Sequence, residues 1–185
     1  MPILGILASS KLTAAAGDYE SIATVTVGSG GSATVSFTSI PADFTHLQLR
    51  AIYSDSGTNP AFNLELVFNS DTGNNYARHL LSGNGTAASA TATASTNFIG
   101  LPYFSNDASA FGASVTDILD YTNTNKYTTV RSLGGIDLNG SGYSMLRSGV
   151  WMNTAAITSI TLTSDAASAS FRQYSHFALY GLRTA

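Results

Sequence analysis

One pattern constrains this chain more than any other: apolar and polar residues alternate one for one through most of its length. His46-Leu-Gln-Leu-Arg-Ala-Ile-Tyr53 sets Leu47, Leu49, Ala51 and Tyr53 against His46, Gln48 and Arg50. Phe62-Asn-Leu-Glu-Leu-Val-Phe-Asn69 repeats it, with Phe62, Leu64, Leu66 and Phe68 inward. Successive side chains of a strand point to opposite faces, so a period of two buries one face and leaves the other wet. No segment sustains the 3.6-residue period of a helix, and only Ile3 to Ala16 has the composition for a short one.

Further strands are predicted at Tyr76–Leu81, Ala113–Tyr121, Lys126–Leu133, Tyr143–Met152, Ile157–Thr163 and Phe171–Leu182, separated by turns such as Asn123-Thr-Asn125 and Asn139-Gly-Ser-Gly142. Gly28-Ser-Gly-Gly31 tolerates positive φ, so Glu20–Val27 and Ser32–Phe37 are expected to form a hairpin. Ser82 to Thr96 has small side chains and little to bury, which predicts a long loop. Nine or ten short strands at this spacing give an all-β fold: an antiparallel β-sandwich, jelly-roll-like, formed by residues 18–185 as one domain. Residues 1–17 form a separate N-terminal arm, extended or partly helical, with Ile3, Leu4, Ile6 and Leu7 as its apolar head.

Charge and cysteine content narrow the function. Only 10% of the 185 residues are charged, the net charge is -3, and eight Lys and Arg are scattered rather than clustered. Phosphate neutralisation needs a basic cluster, so nucleic acid is not an expected partner. With no cysteine, there is no disulfide, thiolate metal site or cysteine nucleophile. The apolar head has no positive residues before it and is too short to span a bilayer, so neither a signal peptide nor a membrane partner is expected.

Candidate chemistry is sparse. His46, His79 and His176 fall in three different strands without metal-ligand spacing. Asp117 and Asp120 lie three apart on one strand and face opposite sides. Asn69, Asp71, Gly73 and Asn75 have the oxygen-rich look of a partial calcium loop, but no bidentate acid closes it, and an Asx-type turn fits better. Ser141 sits between glycines, outside any nucleophile elbow. Arg50, Arg131, Arg147 and Arg172 fall in strands, where solvated faces compete with interface ion pairs to Asp117, Asp120 or Glu65. Trp151 with Tyr143 offers either core packing or a platform for sugar rings.

The blocks "DYESIATVTVGSGGSATVSFTSIPADFTHLQLRAIY", "FNSDTGNNYARHLLSGNG", "DILDYTNTNKYTTVRSLGG" and "WMNTAAITSITLTSD…FALYGL" resemble a family of tailed-phage (cyanophage-like) virion structural proteins. The similarity runs from about Asp18 to Leu182. It implies a β-sandwich component of a phage particle, either a capsid decoration (cement) protein or a tail-associated one, with no enzyme active site and no cofactor. It further implies a place on the outer surface of the virion after synthesis in the host cytoplasm.

Two functional readings follow. In the first, the chain decorates a phage head as a symmetric oligomer, a trimer favoured over a dimer, and Ile3, Leu4, Ile6 and Leu7 contact the major capsid protein, another virion protein or a neighbouring subunit. In the second, it is a tail-fibre or receptor-binding domain touching host glycans through Trp151 and Tyr143. A polysaccharide-cleaving enzyme would need two convergent carboxylates, which the isolated acids do not suggest.

Overall fold

The computed structural model describes residues 18–57, 62–164 and 169–183. The proposed arm, with Ile3, Leu4, Ile6 and Leu7, lies outside the described residues. The described residues form twelve strands and no helix. These are β1 (Tyr19–Thr26), β2 (Thr34–Phe37), β3 (His46–Tyr53), β4 (Phe62–Phe68), β5 (Tyr76–Gly83), β6 (Ala88–Thr96), β7 (Ile99–Phe104), β8 (Gly112–Leu119), β9 (Thr128–Asp137), β10 (Gly142–Trp151), β11 (Ile160–Ser164) and β12 (His176–Leu182). The described residues are all-β, as their alternation predicts.

The strands form two antiparallel sheets. The larger has the order β1-β12-β3-β8-β9-β10-β5-β6 and the smaller β2-β11-β4-β7. From β1 to β4 the chain changes sheet at every step. The β5-β6 hairpin then extends the far edge of the larger sheet, β7 returns to the smaller, β8 to the larger, and the β9-β10 hairpin fills the gap between β8 and β5.

One core lies between the sheets. Leu47, Leu49 and Tyr53 of β3, Ile118 of β8 and Phe177 and Leu179 of β12 meet Val35 and Phe37 of β2, Leu64, Leu66 and Phe68 of β4, and Ile160 and Leu162 of β11. These are the inward halves of the alternating runs. Two glycines set how closely the layers approach. A Cβ on Gly181 of β12 would fall 2.3 Å from the Phe44 ring, and one on Gly149 of β10 would fall 2.7 Å from Ile99. Each space is filled by a neighbour's apolar side chain.

The structure corrects three local expectations. Residues 20–27 and 32–37 form no hairpin: β1 pairs with β12 and β2 with β11, in different sheets. The glycines between them, with Gly31 at φ +69°, carry the chain from one sheet to the other. Pairing with β12 puts Val25 beside Phe177 and Ala23 beside Leu179, apolar neighbours that β2 is too short to supply along the whole of β1. The expected loop from Ser82 to Thr96 is mostly β6, and Ile99–Phe104 is an unforeseen strand at the edge of the smaller sheet.

Candidate functional site

The smaller sheet covers one face of the larger; the other face is open among the described residues. Strand register places its outward side chains in rows running across the strands. One row reads Val115 on β8, Leu133 on β9, Leu146 on β10, Leu81 on β5 and Ala90 on β6, each directly opposite the next. Their exposures are 40% for Val115, 64% for Leu133, 49% for Leu146 and 53% for Leu81, and Ile52 beside the row is 52% exposed. The side chains together offer roughly 400 Å² of apolar surface, in the size range where patches on single chains are often functional.

Two open troughs lie along the ridge. One, of 530 Å³, is lined by Ile52, Val115, Leu133 and Ala178 and ends at Arg50 and Tyr180. The other, of 510 Å³, is lined by Leu81, Ala90 and Leu146 and ends at His79 and Arg131. Next to the apolar row runs a polar one, Gln48-Asp117-Arg131-Ser148-His79, again in direct register. A second flank is almost without side chains, with Ala113, Gly135, Ser144 and Gly83 opposite one another. The result is a ridge with a polar border on one side and a low shelf on the other.

The polar border is held in place towards β1. Tyr19 stacks on Tyr180 with ring centroids 4.8 Å apart, and the Arg50 guanidinium lies over both rings. Arg50 Nε and Tyr19 Oη each donate to Gln48 Oε1 at 2.9 Å, and Gln48 Nε2 donates to Asp117 Oδ1 at 2.8 Å. Arg50 and Asp117 thus communicate through Gln48, while Arg131 stands opposite Asp117 across the β8–β9 pair. Asp120 binds Lys126 and His46 within the chain. The hydrogen bond from Lys126 is the main reason that its carboxyl is held below the ordinary value.

One residue expected on a strand's outer face points the other way. Arg147 is 5% exposed and points between the sheets, its guanidinium 4.8 Å from the Tyr103 ring centre, away from the open face. Parity explains this: Met145, Arg147, Gly149 and Trp151 share one face of β10. With Arg78 it lines a polar cleft of about 140 Å³ between β5 and β7, bordered by Asn63, Thr91 and Thr93.

Trp151 is 1% exposed, packed on Phe68 and Tyr76, and offers no face to a sugar ring. Its Nε1 donates to Asp71 Oδ2 at 2.8 Å. Tyr143 lies edge-on to Tyr103 at 5.3 Å, well separated from Trp151 along β10, so the pair forms no common platform.

The segment at Asn69 to Asn75 is a turn. Asp71 accepts from Gly73 N at 3.0 Å and from Asn75 Nδ2 at 3.0 and 3.1 Å, while Asn69 Oδ1 accepts from the backbone N–H groups of Thr158 and Ser159. Burial alone would raise the Asp71 carboxyl, but the bonds from Trp151, Asn75 and Gly73 outweigh it and hold the group below its ordinary value. Among the described residues no three His, Asp or Glu side chains are grouped to hold a metal ion. His46, His79 and His176 stay apart on β3, β5 and β12.

Sequence reasoning named Arg50, Arg131 and Asp117 of the open face but missed the apolar row they border. The signal was parity: Val130 and Leu133 lie three apart on one strand, so if Val130 is buried Leu133 faces out.

Fold and surface together define a two-sheet all-β protein with an apolar ridge across the open face of its larger sheet. No family model, no curated protein and no solved structure matches the chain.

Proposed function

We propose that the chain is a virion structural subunit that decorates a tailed-phage head on its outer surface as a symmetric oligomer. The observation that carries this reading is the ridge Val115-Leu133-Leu146-Leu81: bulky apolar side chains in direct register on a rigid sheet suit burial against another protein. The strand order supports it. Without the β5-β6 and β9-β10 hairpins, the remaining eight strands lie as β1-β12-β3-β8 over β2-β11-β4-β7, an arrangement that fits a jelly-roll sandwich of the kind used by viral capsid domains. The sequence resemblance to tailed-phage virion proteins points the same way.

In this reading the open face joins subunits, and Ile3, Leu4, Ile6 and Leu7 of the arm bind the major capsid protein or another virion protein. Each apolar side chain removed from water there contributes about 1.5–3 kcal/mol. The low charge suits long-lived packing better than electrostatic capture. The glycan reading loses its main residue with Trp151 enclosed.

Co-sedimentation of the full chain with empty phage heads, beside a chain lacking residues 1–16, tests the proposal. Binding that depends on the arm is the expected result. Absence of binding by both chains would overturn it, and equal binding by both would overturn the arm as its anchor.

A further inference from the structure

We infer that the ridge is a two-fold interface on which a second copy of this chain packs face to face, with the axis running along the boundary between β9 and β10. This rests on reading the open face as a subunit surface, and it names the occupant.

The argument starts from the order of residues in the row. Across β8, β9, β10 and β5 it reads Val115, Leu133, Leu146, Leu81, two apolar residues on each side of the β9–β10 boundary. A two-fold axis in the plane of the interface, parallel to the strands at that boundary, exchanges the two halves and keeps every row on itself. Leu133 then meets Leu146 of the second copy, and Val115 meets Leu81. No apolar member of these four faces a polar one.

The polar border obeys the same operation. Asp117 comes opposite His79 of the second copy, and Arg131 opposite Ser148, so no like charges are brought together. On the other flank Ala113 meets Gly83, and Gly135 meets Ser144, small groups that let two sheets approach to about 10 Å. The protruding Leu133, 64% exposed, comes over Leu146 of the second copy, which lines the 510 Å³ trough.

Size agrees with this occupant. Two ridges of roughly 400 Å² supply about 800 Å² of apolar area, and interfaces about 60% apolar then total about 1,300 Å², within the range of specific complexes. Sheet twist of about 20–25° per strand limits close contact to the few strands nearest the axis, and these are the strands that carry the ridge. A two-fold contact builds a dimer or an even-numbered assembly, not the trimer favoured on sequence.

The absence of cysteine makes the test direct. Sedimentation equilibrium of the full chain is expected to give a dimer, and Leu133→Lys, which puts a charge on the axis, is expected to raise its Kd at least 100-fold with an unchanged circular dichroism spectrum. Two further chains, Leu133→Cys and Leu146→Cys, are mixed with a bis-maleimide spanning about 10 Å. The expected product is the cross-linked pair of one chain of each kind, in excess over either chain with itself.

A full chain that is monomeric at 100 µM, or a dimer untouched by Leu133→Lys and without the mixed cross-link, would overturn the inference. These readouts use no phage heads. A monomer that still binds heads through its arm defeats the pairing alone, and a dimer that binds no heads defeats the virion reading alone.

Discussion

Removing the Asp71 carboxylate probes the hydrogen bond that Trp151 donates from the core. Trp151 is 1% exposed, and its Nε1–H donates to Asp71 Oδ2 at 2.8 Å. In Asp71→Ala that donor keeps its buried position and loses its acceptor, a cost of about 1–3 kcal/mol. The bonds to Gly73 N and Asn75 Nδ2 are exposed and add a few tenths at most. The expected loss is about 2 kcal/mol, or roughly 4–8 °C in Tm for a chain of this size. Urea unfolding followed by tryptophan emission reads it cleanly, because Trp151 is the sole tryptophan.

The pH dependence carries a sign. The folded Asp71 carboxyl lies below its ordinary value of 3.8, so its contribution is complete above that value and is lost as pH falls through the lower folded one. The gap between wild type and Asp71→Ala is therefore expected to be constant near neutrality and to close below about pH 4. Trp151→Phe removes the donor, so Asp71→Ala made in that background, followed by circular dichroism, is expected to cost under about 0.5 kcal/mol. An Asp71→Ala loss of the same size in both backgrounds would refute the reasoning.

Gly181→Ala places a methyl 2.3 Å from the Phe44 ring, and overpacking there is expected to cost about 1–3 kcal/mol in chemical denaturation. Tyr53→Phe removes a buried bond of 2.8 Å to the Pro102 carbonyl, for an expected loss of about 1–2 kcal/mol in the same assay. Asp120→Ala breaks the pair with Lys126 at a site open to solvent, and its thermal midpoint is expected to stay within about 2 °C of wild type.

Legibility followed the amplitude of the alternation. In β3 large apolar side chains face polar ones, and its inward set was read correctly from the sequence. β6 carries the same period in Ala88-Ser-Ala-Thr-Ala-Thr-Ala-Ser-Thr96, but methyls against hydroxyls give little contrast, and nearly every residue of it is exposed. β7 was hidden by Pro102, which has no N–H for a ladder. It is tolerated because β7 is the outer strand of its sheet. The hairpin expected at Gly28–Gly31 failed because flexible glycines allow a reversal without requiring one, and the partners of β1 and β2 lie far away in the chain. The ridge depended on which parity of each strand is buried, and burial of β9 and β10 is settled by the neighbours that the fold supplies.

The positions of β11 and β12 govern when the molecule can fold during synthesis. β11 lies between β2 and β4, and β12 lies between β1 and β3. β11 and β12 are thus the last of the described strands to leave the ribosome, yet β1 and β2 have no other ladder partner among the described strands. A nascent chain halted after Ser159 carries β1 and β2 without partners and part of the core uncovered, a state suited to chaperone binding. Limited proteolysis of such a halted chain is expected to cut within residues 19–37, and protection there would mean that these strands find another partner first. The two-sheet core therefore closes only after translation has passed β11 and β12.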